Sequence, residues 1–122
     1  MKSRKTTQKE FSKFKEVFLH WAVDVFGFVG YTFFFELKNL EDRQAEILVL
    51  PNFCKAHIDF NTIRYPARVL EDVALHEALH LLTGHVDYLN HERFVIRNEV
   101  VEAEEALVCR LENIIKKLVK NA

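Results

Sequence analysis

From Lys9 onward the apolar residues Phe11, Phe14, Val17, Phe18, Trp21, Ala22 and Val25 recur at steps of three and four. That is the period of an amphipathic helix of roughly four turns, and Gly27 and Gly30 are placed to end it. Residues 1–8 before it are polar and basic without periodicity and are expected to be frayed. The pattern then changes. Residues 31–38 (YTFFFELK) and Ala45–Leu50 (AEILVL) are rich in aromatic and β-branched residues, with a polar segment at 39–44 between them. Two strands joined as a hairpin fit this best. Lys55–Asn61 (KAHIDFN) alternates Ala56, Ile58 and Phe60 with polar residues, the period of a half-buried strand, here expected at a sheet edge.

A second helix is expected to begin near Pro66, run through Val69, Leu70, Val73, Leu75, Leu79 and Leu82, and stop at Gly84. Being apolar nearly all round, it should be buried. Residues 83–92 read as a polar connector, and a last helix is expected over about 95–119. The order helix, three strands, helix, helix is an α+β arrangement in one domain spanning 1–122, with the helices packed on one face of the sheet.

Composition adds constraints and no function. At 122 residues, 49% apolar and 29% charged, the chain can build one core but no second lobe. A formal charge of −1 gives no general attraction to nucleic acid or to anionic membranes, so neither is expected as a partner. The basic residues between 2 and 15 are interleaved with Glu10 and helical phenylalanines and read as a solvated helix face. The apolar stretch 21–35 is broken by Asp24 and two glycines, short of the ~20 residues that span a bilayer. The N-terminus runs into the amphipathic pattern and lacks a signal-peptide core, so a cytoplasmic location is expected. Cys54 and Cys109 form no paired spacing and read as reduced core residues.

The chemistry is concentrated in His76-Glu77-Ala78-Leu79-His80, an HExxH motif inside the second helix. Residues four apart share a helix face, so both imidazoles can meet one metal ion with Glu77 beside them. Zinc brings the pKa of its water to roughly 7, and the glutamate can take that water's proton as it attacks a carbonyl. A plain buried helix is the simpler alternative, but three polar groups buried together without partners would cost several kcal/mol.

A catalytic zinc usually has a third protein ligand. Glu99, Glu102, Glu104 and Glu105 of the last helix are the candidates. Val100, Leu107, Leu111, Ile114 and Leu118 define an apolar stripe, and a step of ~100° per residue puts Glu104 near its centre. A carboxylate facing the core needs a partner, and a dication is an effective one. Glu104 is therefore the first candidate, with Glu105 second should the helix be rotated from this reading. A solvated acidic face is the plainer account of Glu102 and Glu105.

With these residues the chain resembles a gluzincin, the clan of zinc metallopeptidases in which HExxH is completed by a glutamate from the following helix. It is similar, more narrowly, to the minigluzincins and to small, often phage-encoded metallopeptidase-like chains. The matching pieces are AHIDFN, HEALHLL and EAEEALVCRLENI, in order over about two thirds of the chain. The resemblance implies a minimal zincin-like domain in which His76, His80 and one glutamate of 102–105 bind Zn2+. Glu77 would be the general base for peptide-bond hydrolysis, and a peptide or protein substrate would lie along an edge strand at 55–61 by strand addition. Larger gluzincins have a second subdomain that this chain lacks, so a zinc-stabilised protein-interaction module with little hydrolysis is the rival reading. A third is a metal-dependent endoribonuclease using His76, His80 and His85. HEALHLLTGH, however, sets Gly84 one residue late and His85 one residue early for the metzincin and endoribonuclease patterns, and NFCKA does not reproduce the cysteine motif of peptide deformylases.

His85, Tyr88 and His91 follow the metal helix and are candidate donors to a developing oxyanion, though a polar loop with a capping histidine is the plainer account. His20 and His57 read as surface or boundary residues, and Trp21 and the phenylalanines as core.

Overall fold

The computed structural model describes residues 2–92 and 97–121, with side chains described for 2–84, 101–102 and 104–120. These form a small α+β domain of three α-helices and two small sheets. Strand β1 (Arg4–Lys5) leads into α1 (Gln8–Leu19), which continues as a π-helical turn over His20–Val25. β2 (Thr32–Lys38), β3 (Ala45–Leu50), β4 (Lys55–Asn61) and β5 (Ile63–Arg64) follow, then α2 (Leu70–Glu92) and α3 (Arg97–Asn121). No helix among the described residues is long and apolar enough to cross a membrane.

The N-terminal segment expected to fray is tied down. β1 pairs antiparallel with β5, and the buried Thr6 hydroxyl donates to the Asn61 carbonyl at 2.7 Å. Thr7 caps α1 with Glu10 in a reciprocal capping box, a start signal that lies inside the polar stretch. At the other end Gly27 takes the left-handed conformation (φ 75°) that stops the helical run.

The sheet order corrects two expectations. β4 is the central strand, parallel to β2 and antiparallel to β3, so 55–61 is not an edge and the hairpin joins β3 to β4 instead of β2 to β3. The β3–β4 turn is a short 3-10 turn, Pro51–Phe53, closed by Cys54 in the left-handed region. Alternation of apolar and polar residues is the same for a central and an edge strand of a sheet covered on one face, so it cannot distinguish them. The connector 39–44 is pinned on β4, where the buried Asn61 amide donates to the carbonyls of Glu41 (3.1 Å) and Arg43 (2.6 Å).

α1 and α2 cover one face of the three-stranded sheet. Phe11, Phe14, Phe18 and Ala22 meet Ala56, Ile58 and Phe60 of β4 and Leu70, Ala74, Ala78 and Leu81 of α2. Phe14 and Phe60 have ring centroids 4.6 Å apart, close to the lower limit for aromatic pairs. A second face of α2, Leu75 and Leu79, packs on Val108, Leu111 and Ile115 of α3. α2 therefore lies between the sheet layer and α3, as its apolar circumference requires.

α2 begins at Leu70, after a turn containing Pro66, and does not stop at Gly84 but runs on to Glu92. The residues 83–92 expected as a connector are helical as far as they are described. Gly84 is a packing glycine: a Cβ on it would lie 2.8 Å from the Cβ of Val49 on β3. The stripe expected to face the core along α3 is also rotated. Val108 is fully buried, whereas Leu107, Ile114 and Leu118 are exposed. Both cysteines are free and exposed, contrary to the expectation of core residues. His20 pairs with Asp24 at the surface, and His57 stacks on Phe34 on the sheet's other face.

Candidate metal centre

α2 turns the HExxH residues into an open groove of about 740 Å³ between β3 and α3. With Ala74, Ala78 and Leu81 on the sheet and Leu75 and Leu79 on α3, His76, Glu77 and His80 are left to line this third direction. Ile47, Leu48 and Val49 of β3 form the opposite wall, and Glu104, Glu105 and Glu112 of α3 close the side. The two imidazole rings are 5.2 Å apart between centroids.

All four ring nitrogens face carboxylates. Glu105 presents one oxygen to His80 Nε2 at 2.9 Å and the other to His76 Nε2 at 3.2 Å. On the remote side, His76 Nδ1 meets Glu112 at 3.0 Å and His80 Nδ1 meets Glu104 at 2.7 Å. Glu104 also accepts from the buried Thr83 hydroxyl at 2.7 Å, and Glu112 is held by Lys116, which bridges to Asp72 on α2. Metal-binding histidines usually give their second ring N–H to a carboxylate, which fixes ring orientation and raises basicity.

The structure sets the two neighbouring glutamates on opposite sides of the His80 ring. Glu104 does face inward, with its side chain 14% exposed, but it serves the Nδ1 of His80. Glu105, 48% exposed, is the carboxylate between the two Nε2 atoms. The groove opens on the rim of the α2–α3 contact, so the residue that reaches both Nε2 atoms projects from that rim and not from the packed seam. Glu112, two turns beyond Glu105, escaped the sequence reading. Its signal was the i, i+7 spacing that puts both on one helix face.

Glu77 is nine-tenths buried, lines the groove and has no hydrogen-bond partner among the described residues. Burial pushes its carboxyl up to about 7, offset in part by His80 and His76 and reinforced by Glu105 and Glu46. Burial lowers the pKa of His80, but the Glu104 hydrogen bond and the nearby carboxylates outweigh it and the net shift is upward. Glu104 shifts down, because bonds from His80 and Thr83 outweigh its own desolvation. Four carboxylates thus crowd two imidazoles, and Lys116 is the one lysine or arginine paired with them among the described residues. That imbalance suits a cation held by nitrogen and oxygen donors.

Compared with protein families, curated proteins and solved structures, the chain matches none.

Of the remaining residues, one joins the cluster. Cys109, one turn past Glu105, has its sulfur in a group with ligand atoms of His76 and Glu105, all within 4.8 Å of one another. Its thiol is pushed up by desolvation and by the charges of Glu105 and Glu112. Glu102 is exposed and, among the described residues, forms no ion pair with His76 or His80. The side chains of His85, Tyr88, His91 and Glu99 lie outside the described residues.

Proposed function

We propose that the chain is a minimal, gluzincin-like zinc metallopeptidase that hydrolyses peptide bonds, with His76, His80 and Glu105 as metal ligands and Glu77 as general base. One observation carries this reading: Glu105 lies between the Nε2 atoms of both HExxH histidines, whose Nδ1 atoms are held by Glu112 and Glu104. The donor set fits zinc, which takes two imidazoles and a carboxylate and leaves a fourth position. Bound zinc supplies a Lewis acid for the scissile carbonyl and a water ionising near pH ~7.

The chain's own residues supply the rest. Glu77 takes the proton from the attacking water and returns it to the departing amine, a task suited to a carboxyl that lines the groove and is tied up by no hydrogen bond among the described residues. Glu104 and Glu112 hold the imidazoles so that both Nε2 atoms face Glu105. β3 is a free edge and forms a wall of the groove, so an extended peptide adds to β3 by main-chain hydrogen bonds rather than to the central strand 55–61. Two free cysteines and no disulfide among the described residues favour a reducing, cytoplasmic setting.

The test is Glu77→Gln beside Glu105→Ala, read as zinc content and cleavage of a peptide library. Glu77→Gln is expected to keep zinc and lose cleavage, and Glu105→Ala to lose both. Unchanged turnover by Glu77→Gln would rule the mechanism out. A wild-type protein that binds zinc yet cleaves no peptide in the library would favour the interaction-module reading.

A further inference from the structure

Cys109 stands on the same face of α3 as Glu105 and Glu112, between them in sequence and one turn from each. Its sulfur and ligand atoms of His76 and Glu105 all lie within 4.8 Å of one another. Ligand atoms on a tetrahedral zinc are roughly 3.5 Å apart, given bonds of ~2.0 Å to nitrogen and ~2.3 Å to sulfur. The sulfur's separations from the His76 and Glu105 atoms therefore exceed a coordinating spacing by at most about 1.3 Å, and His80 stands outside this group, joined to it through Glu105 at 2.9 Å. A second observation marks the same place as a ligand site. Glu77 is nine-tenths buried, lines the groove together with His76 and Glu105, and has no hydrogen-bond partner among the described residues.

We propose that Cys109 is a fourth protein ligand of the metal centre, giving a His2GluCys set that is closed at rest and opens when water displaces the sulfur. This rests on the reading of His76, His80 and Glu105 as metal ligands. Four protein ligands are the mark of a structural zinc site, and three with an open place the mark of a catalytic one. On opening, Cys109 would leave as a neutral thiol, taking its proton from the water that enters in its place. The thiol is exposed, so solvent has direct access to the sulfur it would displace. A closed resting site would keep a small domain with an open groove from indiscriminate hydrolysis.

The test reads coordination directly. Wild-type protein loaded with one equivalent of cobalt is expected to show a near-ultraviolet thiolate-to-cobalt charge-transfer band. X-ray absorption of the zinc form is expected to show one sulfur at ~2.3 Å. Both signals are expected to persist in Cys54→Ser and disappear in Cys109→Ser and Cys109→Ala, with zinc affinity falling about tenfold or more, since loss of even an outer-sphere partner costs that much. Metal uptake by wild type with only nitrogen and oxygen scatterers overturns the proposal and leaves the metallopeptidase reading standing. A sulfur signal that survives in both Cys109 variants overturns it equally. A wild-type protein that takes up neither metal overturns both readings. The wild-type spectrum decides the matter even if the variants fold poorly.

Discussion

Gly84 of α2 lies directly against Val49 of β3, so close that a methyl group at Gly84 would meet the Val49 Cβ at 2.8 Å. Val49 is on the strand that walls the groove, and Gly84 is one turn past His80. The glycine thus sets how closely the HExxH helix approaches the proposed substrate edge. Gly84→Ala should destabilise the fold by about 1–3 kcal/mol through overpacking, despite alanine's better helix propensity. Shortening the neighbour should recover part of that loss, so Gly84→Ala/Val49→Ala should be less destabilised than the sum of the single variants. Urea denaturation of the four proteins measures this coupling. A Gly84→Ala protein as stable as wild type would show that the close approach constrains nothing.

Glu104 and Glu105 are adjacent in sequence yet face opposite sides of the His80 ring, at Nδ1 and Nε2. Their substitutions should separate cleanly. Glu105→Ala should abolish tight zinc binding, whereas Glu104→Ala and Glu112→Ala should weaken it about 10–100-fold by loosening the imidazoles they orient. Competition with a chromophoric chelator gives the three affinities. Equal losses for Glu104→Ala and Glu105→Ala would contradict the assignment of inner and outer carboxylates.

How much of this could be read from the sequence depended on distance along the chain. α1, the three longer strands and the HExxH helix are local patterns of period 3.6 or 2, and each begins close to where the pattern put it, although the HExxH helix runs on past Gly84 to Glu92. The HExxH pair is also local, because four residues on one helix fix the geometry. Strand order is not local: β4 inserts between β2 and β3, and nothing in its alternation of Ala56, Ile58 and Phe60 encodes that. Gly84 misled for a related reason. A helix-stopping glycine and a glycine admitting a close neighbour read alike until Val49 is seen opposite it. Glu104 was correctly read as inward-facing, but what it faces is the ring of His80. The N-terminal strand was missed because two residues paired with β5 leave no periodicity to detect.

Asn61 has no exposed surface, and its side chain carries three bonds: two donated to the carbonyls of Glu41 and Arg43, and one accepted from the Ile63 N–H at 3.0 Å. It secures the connector leading into β3, the edge against which the groove is built. Asn61→Ala would leave these backbone groups unsatisfied, at about 1–3 kcal/mol for each one that stays buried. The expected loss is about 3 kcal/mol, with faster amide hydrogen exchange at Ile63. Asn61→Asp should recover little, because a carboxylate can accept from Ile63 but cannot donate to two carbonyls. Full recovery by aspartate would mean that the bond from Ile63 alone holds the connector.

Glu10 ties the N-terminal strand, α1 and β5 together, since its carboxylate accepts from both Nη atoms of Arg4, from Arg64 Nε and from Thr7 N. The Arg4 hydrogen bonds hold its carboxyl down at about 2, against partial burial that would raise it. An unfolded glutamate titrates near ~4.3, so the folded state binds the proton less tightly than the unfolded state does. The stabilisation is therefore fully present above about pH 4.5, declines as pH falls, and is gone below about pH 2. With the side chain 19% exposed, a contribution of about 1–2 kcal/mol is expected, less than the full shift would give. Glu10→Gln should be less stable than wild type by that amount at pH ~7, and the two unfolding curves should converge as pH approaches ~2. A gap of constant size across that range would mean that Glu10 acts through its cap geometry alone, without a contribution from its charge.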